Sequence, residues 1–144
     1  MDSFYFALQK IRERPGLFLG AKSLERLVHF WHGYDFRHSI EVWEATTGHN
    51  FFEHYDEAIN SDLRPEPHEQ YFMSGFDEFV HEYYNCMITT WRGTSIISQN
   101  SNSDEEAFDK FFELLDEFLE LTDIQKKEIK EAARKRVSEF YEDV

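Results

Sequence analysis

The residue types able to do chemistry in this 144-residue chain are seven histidines, an excess of carboxylates and one cysteine, Cys86. Glu25, His29 and His32 are spaced four and three residues apart, so on a helix they share part of one face and could approach a metal ion. The Leu, Val and Trp residues around them describe a packed or surface histidine pair equally well. Glu78 and His81 form an E-x-x-H element of the kind that helical di-iron bundles use twice, on facing helices. It occurs once here, which leaves no metal centre expected. His49 and His54 stand among carboxylates and are the acid/base candidates for a small hydrolase, but equally belong on an acidic surface. Cys86 is five residues from His81, poor spacing for a shared helix face, and a free cysteine is commonly a small buried hydrophobe. H-E-x-x-H, G-x-S-x-G, the G-x-x-x-x-G-K-S/T loop and G-x-G-x-x-G are all missing from the sequence. No catalytic residue, metal or cofactor is expected.

The carboxylates themselves are the stronger signal. Asp104, Glu105, Asp109, Glu113, Asp116, Glu117 and Glu120 include neighbours four apart that repel one another on a helix. A solvated face tolerates this small cost, and a partner rich in Arg and Lys converts it into oriented attraction. A second acidic group, Asp62, Glu66 and Glu69, lies beside Tyr71 and Phe72, which could serve as aromatic anchors. The expected partner contacts are therefore Glu66, Glu69, Asp109, Glu113, Asp116 and Glu117.

The charge pattern narrows the partner further. The formal net charge is -14. Residues 1–40 carry a net +2, residues 41–82 hold eleven carboxylates against Arg64 alone, and residues 104–120 hold eight against Lys110. Such a surface repels nucleic acid and anionic lipid and steers basic proteins towards it. With a single cysteine no intrachain disulfide or cysteine-based zinc site forms, which fits a reducing cytoplasm. MDSFYFALQKIRERP lacks the pattern of a signal peptide, and no stretch approaches the roughly 20 apolar residues that span a bilayer. Fifteen Phe against three Pro and six Gly predict an aromatic core in one ordered domain over residues 1–144.

The elements that position these residues read as helices. Phe4, Leu8 and Ile11 predict a helix over about 3–13 that stops at Pro15, with Gly16 taking the turn and Leu17, Phe18 and Leu19 entering the core. Arg12 and Arg14 then face outward near the helix's negative end, where they can pair with the acidic middle of the chain. Ser23 caps a second helix whose stripe is Leu24, Leu27, Val28, Trp31 and Tyr34; Gly33 either sits inside it or marks a close crossing. TTGHN ends it, FFEHYDEAI resumes helical spacing through Phe51, Tyr55 and Ile59, and the two prolines of SDLRPEPHE make 60–70 a connection. GFDEFVHEYYN predicts a helix packed through Phe76, Phe79, Val80 and Tyr83, with Ser74 near its start. Residues 86–99 fit helix or strand, helix being favoured because a lone strand has no partner. Ser103 and Glu106 form a capping box ahead of Phe108, Phe111, Phe112, Leu115, Phe118 and Leu119. Thr122 and Gln125 repeat it before a last helix through Ile129, Ala132, Ala133, Arg136, Val137 and Phe140. The short break between these two predicts an antiparallel pair, and the fold class is an all-α single-domain bundle.

IRERPGLFLG, with KSLERLVHFWHGY after it and DEEAFDKFFELLDEFLE much later, resembles a family of small bacterial proteins that begin with an R-x-R-P-G-hydrophobic-aromatic-hydrophobic-G element. Its members include immunity-type proteins of polymorphic or contact-dependent toxin systems. The resemblance implies a helical, noncatalytic protein that neutralises a cognate toxin such as a nuclease; no toxin contact carries over from it. RERPG is also similar to the R-K-R-P-G start of the DNA gyrase B ATPase family, whose glycine-rich ATP-binding elements this chain lacks. The alternative functions are a helical adaptor, its basic N-terminal turn contacting an anionic protein, or the histidine–carboxylate hydrolase.

Overall fold

The computed structural model describes residues 3–61, 72–85 and 92–142, with side chains to residue 139. These residues form an all-α bundle and contain no strand. No helix among them is long and apolar enough to cross a membrane. The elements are α1 (Ser3–Glu13), α2 (Pro15–Leu19), α3 (Leu24–Thr47), α4 (Tyr55–Ile59), α5 (Phe76–Tyr84), α6 (Gly93–Gln99), α7 (Asp104–Leu119) and α8 (Asp123–Glu142). Within 86–99, helix is the outcome for 93–99; Cys86 and its neighbours to residue 91, like the proline-rich connection from 62 to 71, lie outside the described residues.

α1 buries Phe4, Leu8 and Ile11, as its spacing predicts. Arg14 leaves helical geometry before Pro15, but Pro15 then starts the short α2, and it is Gly20 rather than Gly16 that takes the left-handed turn, at φ 79°. The expected entry of LFL into the core is overturned. Leu17 and Phe18 remain 67% and 51% exposed, and only Leu19 packs partly against the core. Consecutive side chains on a helix point about 100° apart, so the one face that α2 turns to the bundle cannot take all three.

α3 begins at Ser23, whose side-chain oxygen accepts from the Arg26 N–H at 3.0 Å. It then runs 24 residues without a break, about 36 Å at 1.5 Å per residue. A Cβ on Gly33 would meet nothing within 4 Å, so this glycine marks no close crossing. The helix outruns the body of the bundle. Leu24 and Leu27 belong to the main core, with Val28, Trp31 and Tyr34 packed against it, whereas Ile40 and Trp43 form a separate small cluster with Phe51 and Ala58. Gly48, in the left-handed region, closes α3, and the chain folds back through residues 49–54 into α4. Of the stripe expected there, Phe51 is buried but Tyr55 and Ile59 face solvent, while Ala58 packs instead.

The main core is aromatic, as the composition predicts. Phe76 and Phe111 rings meet at 5.6 Å, as do Phe76 and Phe118, and Trp31 lies 6.3 Å from Phe111. α7 contributes Phe108, Phe111, Phe112, Leu115 and Phe118 to it, with Ala107 and Leu114. Its start follows the expected cap, Ser103 accepting from the Glu106 N–H at 3.0 Å. α5 departs from expectation on one side. Tyr83 is exposed, with the Lys110 ammonium over its ring, and His81 is buried. Phe79 against Phe118 and Tyr83 against Lys110 set α5 antiparallel to α7. Thr122 and Gln125 bond reciprocally, at 2.9 and 3.2 Å, and launch α8 back along α5. Arg134 reaches Glu78 there at 3.7 Å and Arg136 reaches Glu82 at 2.6 Å. Ala133 is buried and Ala132 is exposed, so the packing stripe of α8 is narrower than its sequence suggests.

Candidate functional site

The acidic face of α7 meets the chain's own basic start. Arg12, on α1, holds Asp116 with both nitrogens, at 2.9 and 2.7 Å, and its guanidinium also lies over the Phe112 ring. Lys22 reaches Asp109 at 2.7 Å. Hydrogen bonding to these carboxylates raises the pKa of both cations, so each is firmly charged. Lys110 bonds Glu113 at 3.2 Å and lies beside Tyr83, which with Glu113 holds its pKa well above the usual lysine range. Asp104 accepts from the Ser23 hydroxyl and, at 3.0 Å, from the Glu25 N–H, so a carboxylate from the start of α7 also caps α3. Arg12 does pair with acid, but with α7 rather than with the acidic middle of the chain.

Among the expected contacts, Asp109 and Asp116 thus have partners across the fold and Glu113 has one on its own helix. Glu117 stays exposed, together with Glu105, Glu106 and Glu120. Glu66 and Glu69 lie outside the described residues, as do Asp62 and Tyr71. Phe72, expected beside them as an anchor, packs inward against Tyr5 and Phe4 at ring separations of 5.3 and 6.3 Å.

Five of the seven histidines fall into three groups. His29 lies 3.9 Å from Glu25 and its ring 6.4 Å from that of His32, on the rim of an open groove of about 980 Å³ between α3, α6 and the start of α7. Asp77 lines the same groove, accepting from the Gly93 N–H at 2.8 Å; surrounding protein mass raises its pKa even though the side chain touches solvent. The tight seat of α6 on α5 depends on that glycine, since a Cβ there would stand 3.0 Å from Asp77 and 3.2 Å from Val80. His81 is enclosed in the main core, where desolvation and nearby Arg136 lower its pKa against the opposing pull of Glu82. His49 and His54 do come together, ring centres 4.3 Å apart, with Glu57 3.5 Å from His54. Among the described residues no group of three His, Cys, Asp or Glu side chains is placed to hold a metal ion.

The feature that reading by charge alone passes over is the far end of α3 with α4. Phe51 is buried there, and Phe36, Phe52 and Tyr55 lie against it with ring centres 6.1, 5.4 and 5.7 Å away, yet all three are exposed. The signal was present in FFEHYDEAI, where aromatics alternate with acids too densely for one buried face. Compared with family models, with curated proteins and with solved structures, the chain shows no significant match.

Proposed function

We infer that this chain acts by stoichiometric binding of a basic protein, and that it is an immunity protein whose partner is a toxin. The observation that supports binding is the acid still exposed on α7 beside the three carboxylates that cations of the fold engage. Arg12, Lys22 and Lys110 neutralise Asp116, Asp109 and Glu113, and Glu105, Glu106, Glu117 and Glu120 still face solvent along α7. Charge of one sign on a surface speeds encounter with a basic partner and disfavours acidic ones. The toxin as partner rests on the resemblance of IRERPGLFLG and the two later segments to immunity-type proteins. Within this reading Glu66, Glu69, Asp109, Glu113, Asp116 and Glu117 are the acids that steer the partner in, and Asp109 and Asp116 also hold α7 to the basic N-terminal segment. The complex covers the toxin's active site or blocks the approach of its substrate, in the cytoplasm.

Coexpression with the toxin tests this. Cells producing the toxin are expected to grow when the wild-type chain is supplied in equal amount. Continued killing ends the immunity reading. Glu117→Lys with Glu120→Lys is expected to slow association about tenfold at low salt. An unchanged rate there removes α7 from the encounter surface. A hydrolase is the second reading, favoured by the meeting of His49 and His54 beside Glu57; it requires that His49→Ala with His54→Ala abolish function without weakening any complex.

A further inference from the structure

We propose that the lobe made by the second half of α3, residues 49–54 and α4 is the docking surface itself, and that it takes an apolar segment flanked by Arg and Lys from the partner. The inference rests on the binding reading above for the existence of a partner, but not on the partner being a toxin.

Four large apolar side chains stand in solvent there: Phe36 at 60%, Phe52 at 70%, Tyr55 at 51% and Ile59 at 53% exposure. They form one patch rather than scattered residues. Phe36, Phe52 and Tyr55 all touch the same buried Phe51, and Ile59 follows Tyr55 by one helical turn. Phe51 is in turn held edge-on by Trp43, 6.1 Å away, and its N–H donates to Glu44 at 3.0 Å. The exposed rings therefore rest on a fixed base. Contiguous exposed aromatics of this kind mark interaction sites, because rigid rings offer large burial at little entropic cost.

The rim decides what covers the patch. Residues 36–59 carry Glu41, Glu44, Glu53, Asp56 and Glu57 against Arg37 alone. Arg37 is spent on Glu41 at 3.1 Å, and Glu53, Asp56 and Glu57 are exposed. A two-fold pairing of two copies through this surface would set these carboxylates against one another, a like-charge contact that opposes association. A segment with apolar residues at its centre and cations at its edges meets both features at once. It buries the rings and places Arg or Lys against Glu53, Asp56 and Glu57.

The probe is a synthetic amphipathic peptide with leucines on one face and arginines on the other, titrated into the full-length protein and followed by amide chemical shifts. Shifts concentrated in residues 36–59 are expected, and a peptide with glutamate in place of arginine should leave them unmoved. Phe52→Ser with Tyr55→Ser, both on exposed positions, is expected to weaken binding about tenfold or more while the melting temperature holds. Equal affinity of wild type and the double variant overturns the proposal, as do shifts centred on the groove or on α7. Sedimentation of the protein alone separates the remaining case: a mass that grows with concentration and returns to monomer in the double variant shows a second copy on the patch and rejects the basic segment. If toxin neutralisation survives in the double variant, docking at the lobe fails and the immunity reading stands. If the peptide docks as described but no toxin is neutralised, the reverse holds.

Discussion

The bundle body and the α3–α4 lobe are both built around phenylalanine, and they use it in opposite ways. In the body Phe4, Phe108, Phe111 and Phe118 are enclosed on all sides by α1, α3, α5 and α7. In the lobe one ring, Phe51, is buried among Ile40, Trp43 and Ala58, and the rings around it face water. The difference is geometric. Several helices converge on the body, whereas among the described residues the lobe has only the end of α3, a short return segment and the five-residue α4, too little mass to cover its own aromatics. Aromatic content alone therefore does not report the core.

The sharpest way to break the comparison is to remove one ring from each region. Phe111→Ala is expected to cost about 3–5 kcal/mol, since the surrounding rings cannot close the cavity. Urea unfolding measures it, and a cost near that of a surface substitution would mean the body is not the stabilising unit. Phe51→Ala should cost about 2 kcal/mol, less than the usual aromatic truncation because the site is thin and can collapse. Its effect should also be local: amide exchange should quicken at 40–47 and 55–59 while α7 keeps its protection. Quickening throughout α7 would show one cooperative unit instead of two.

A smaller, pH-dependent effect belongs to the body alone. His81 has its pKa lowered in the fold, chiefly by desolvation, so the folded state resists its protonation. The contribution is complete above the unfolded value and is lost as pH falls through that value towards the folded one, so stability should decline on mild acidification. His81→Gln should flatten that part of the profile, and an unchanged slope would show that other groups set it. Asp77, whose pKa is raised, acts with the opposite sign and at lower pH: its burial penalty appears as pH rises through the ordinary carboxylate range.

Gly33 sits where α3 passes from the body to the lobe, and a Cβ there meets open space. Gly33→Ala is therefore expected to stabilise the protein by about 0.5–1 kcal/mol through better helix propensity. Thermal unfolding checks the sign; destabilisation would mean the junction needs the freedom of glycine. Smallest of all is Phe52→Ser, expected within about 0.5 kcal/mol of wild type because the ring is already in water. A loss of more than that would place Phe52 in the fold rather than at an interface.

Local signals in the chain were legible where one residue type settles one local question. Ser103, Thr122 and Ser23 each predict the helix start that they cap. The spacing of Phe108, Phe111, Phe112 and Phe118 predicts the buried face of α7. What depends on several elements at once was not legible. That Asp109 and Asp116 hold Lys22 and Arg12, far away in the chain, is one such fact. Leu17 and Phe18 read as core for want of knowing that 15–19 is helix, in which neighbouring side chains diverge by about 100°. The aromatic lobe could not be told from core, because periodicity gives a face and not what lies opposite it.

The claim on which the account rests is that the body's aromatics hold the fold and the lobe's aromatics hold a partner. Amide hydrogen exchange of the full-length protein with and without the arginine–leucine peptide tests it most directly. Added protection confined to residues 36–59, with α1 and α7 exchanging as before, is the predicted result. Protection gained on α7 or around the groove, with the lobe unchanged, would contradict it.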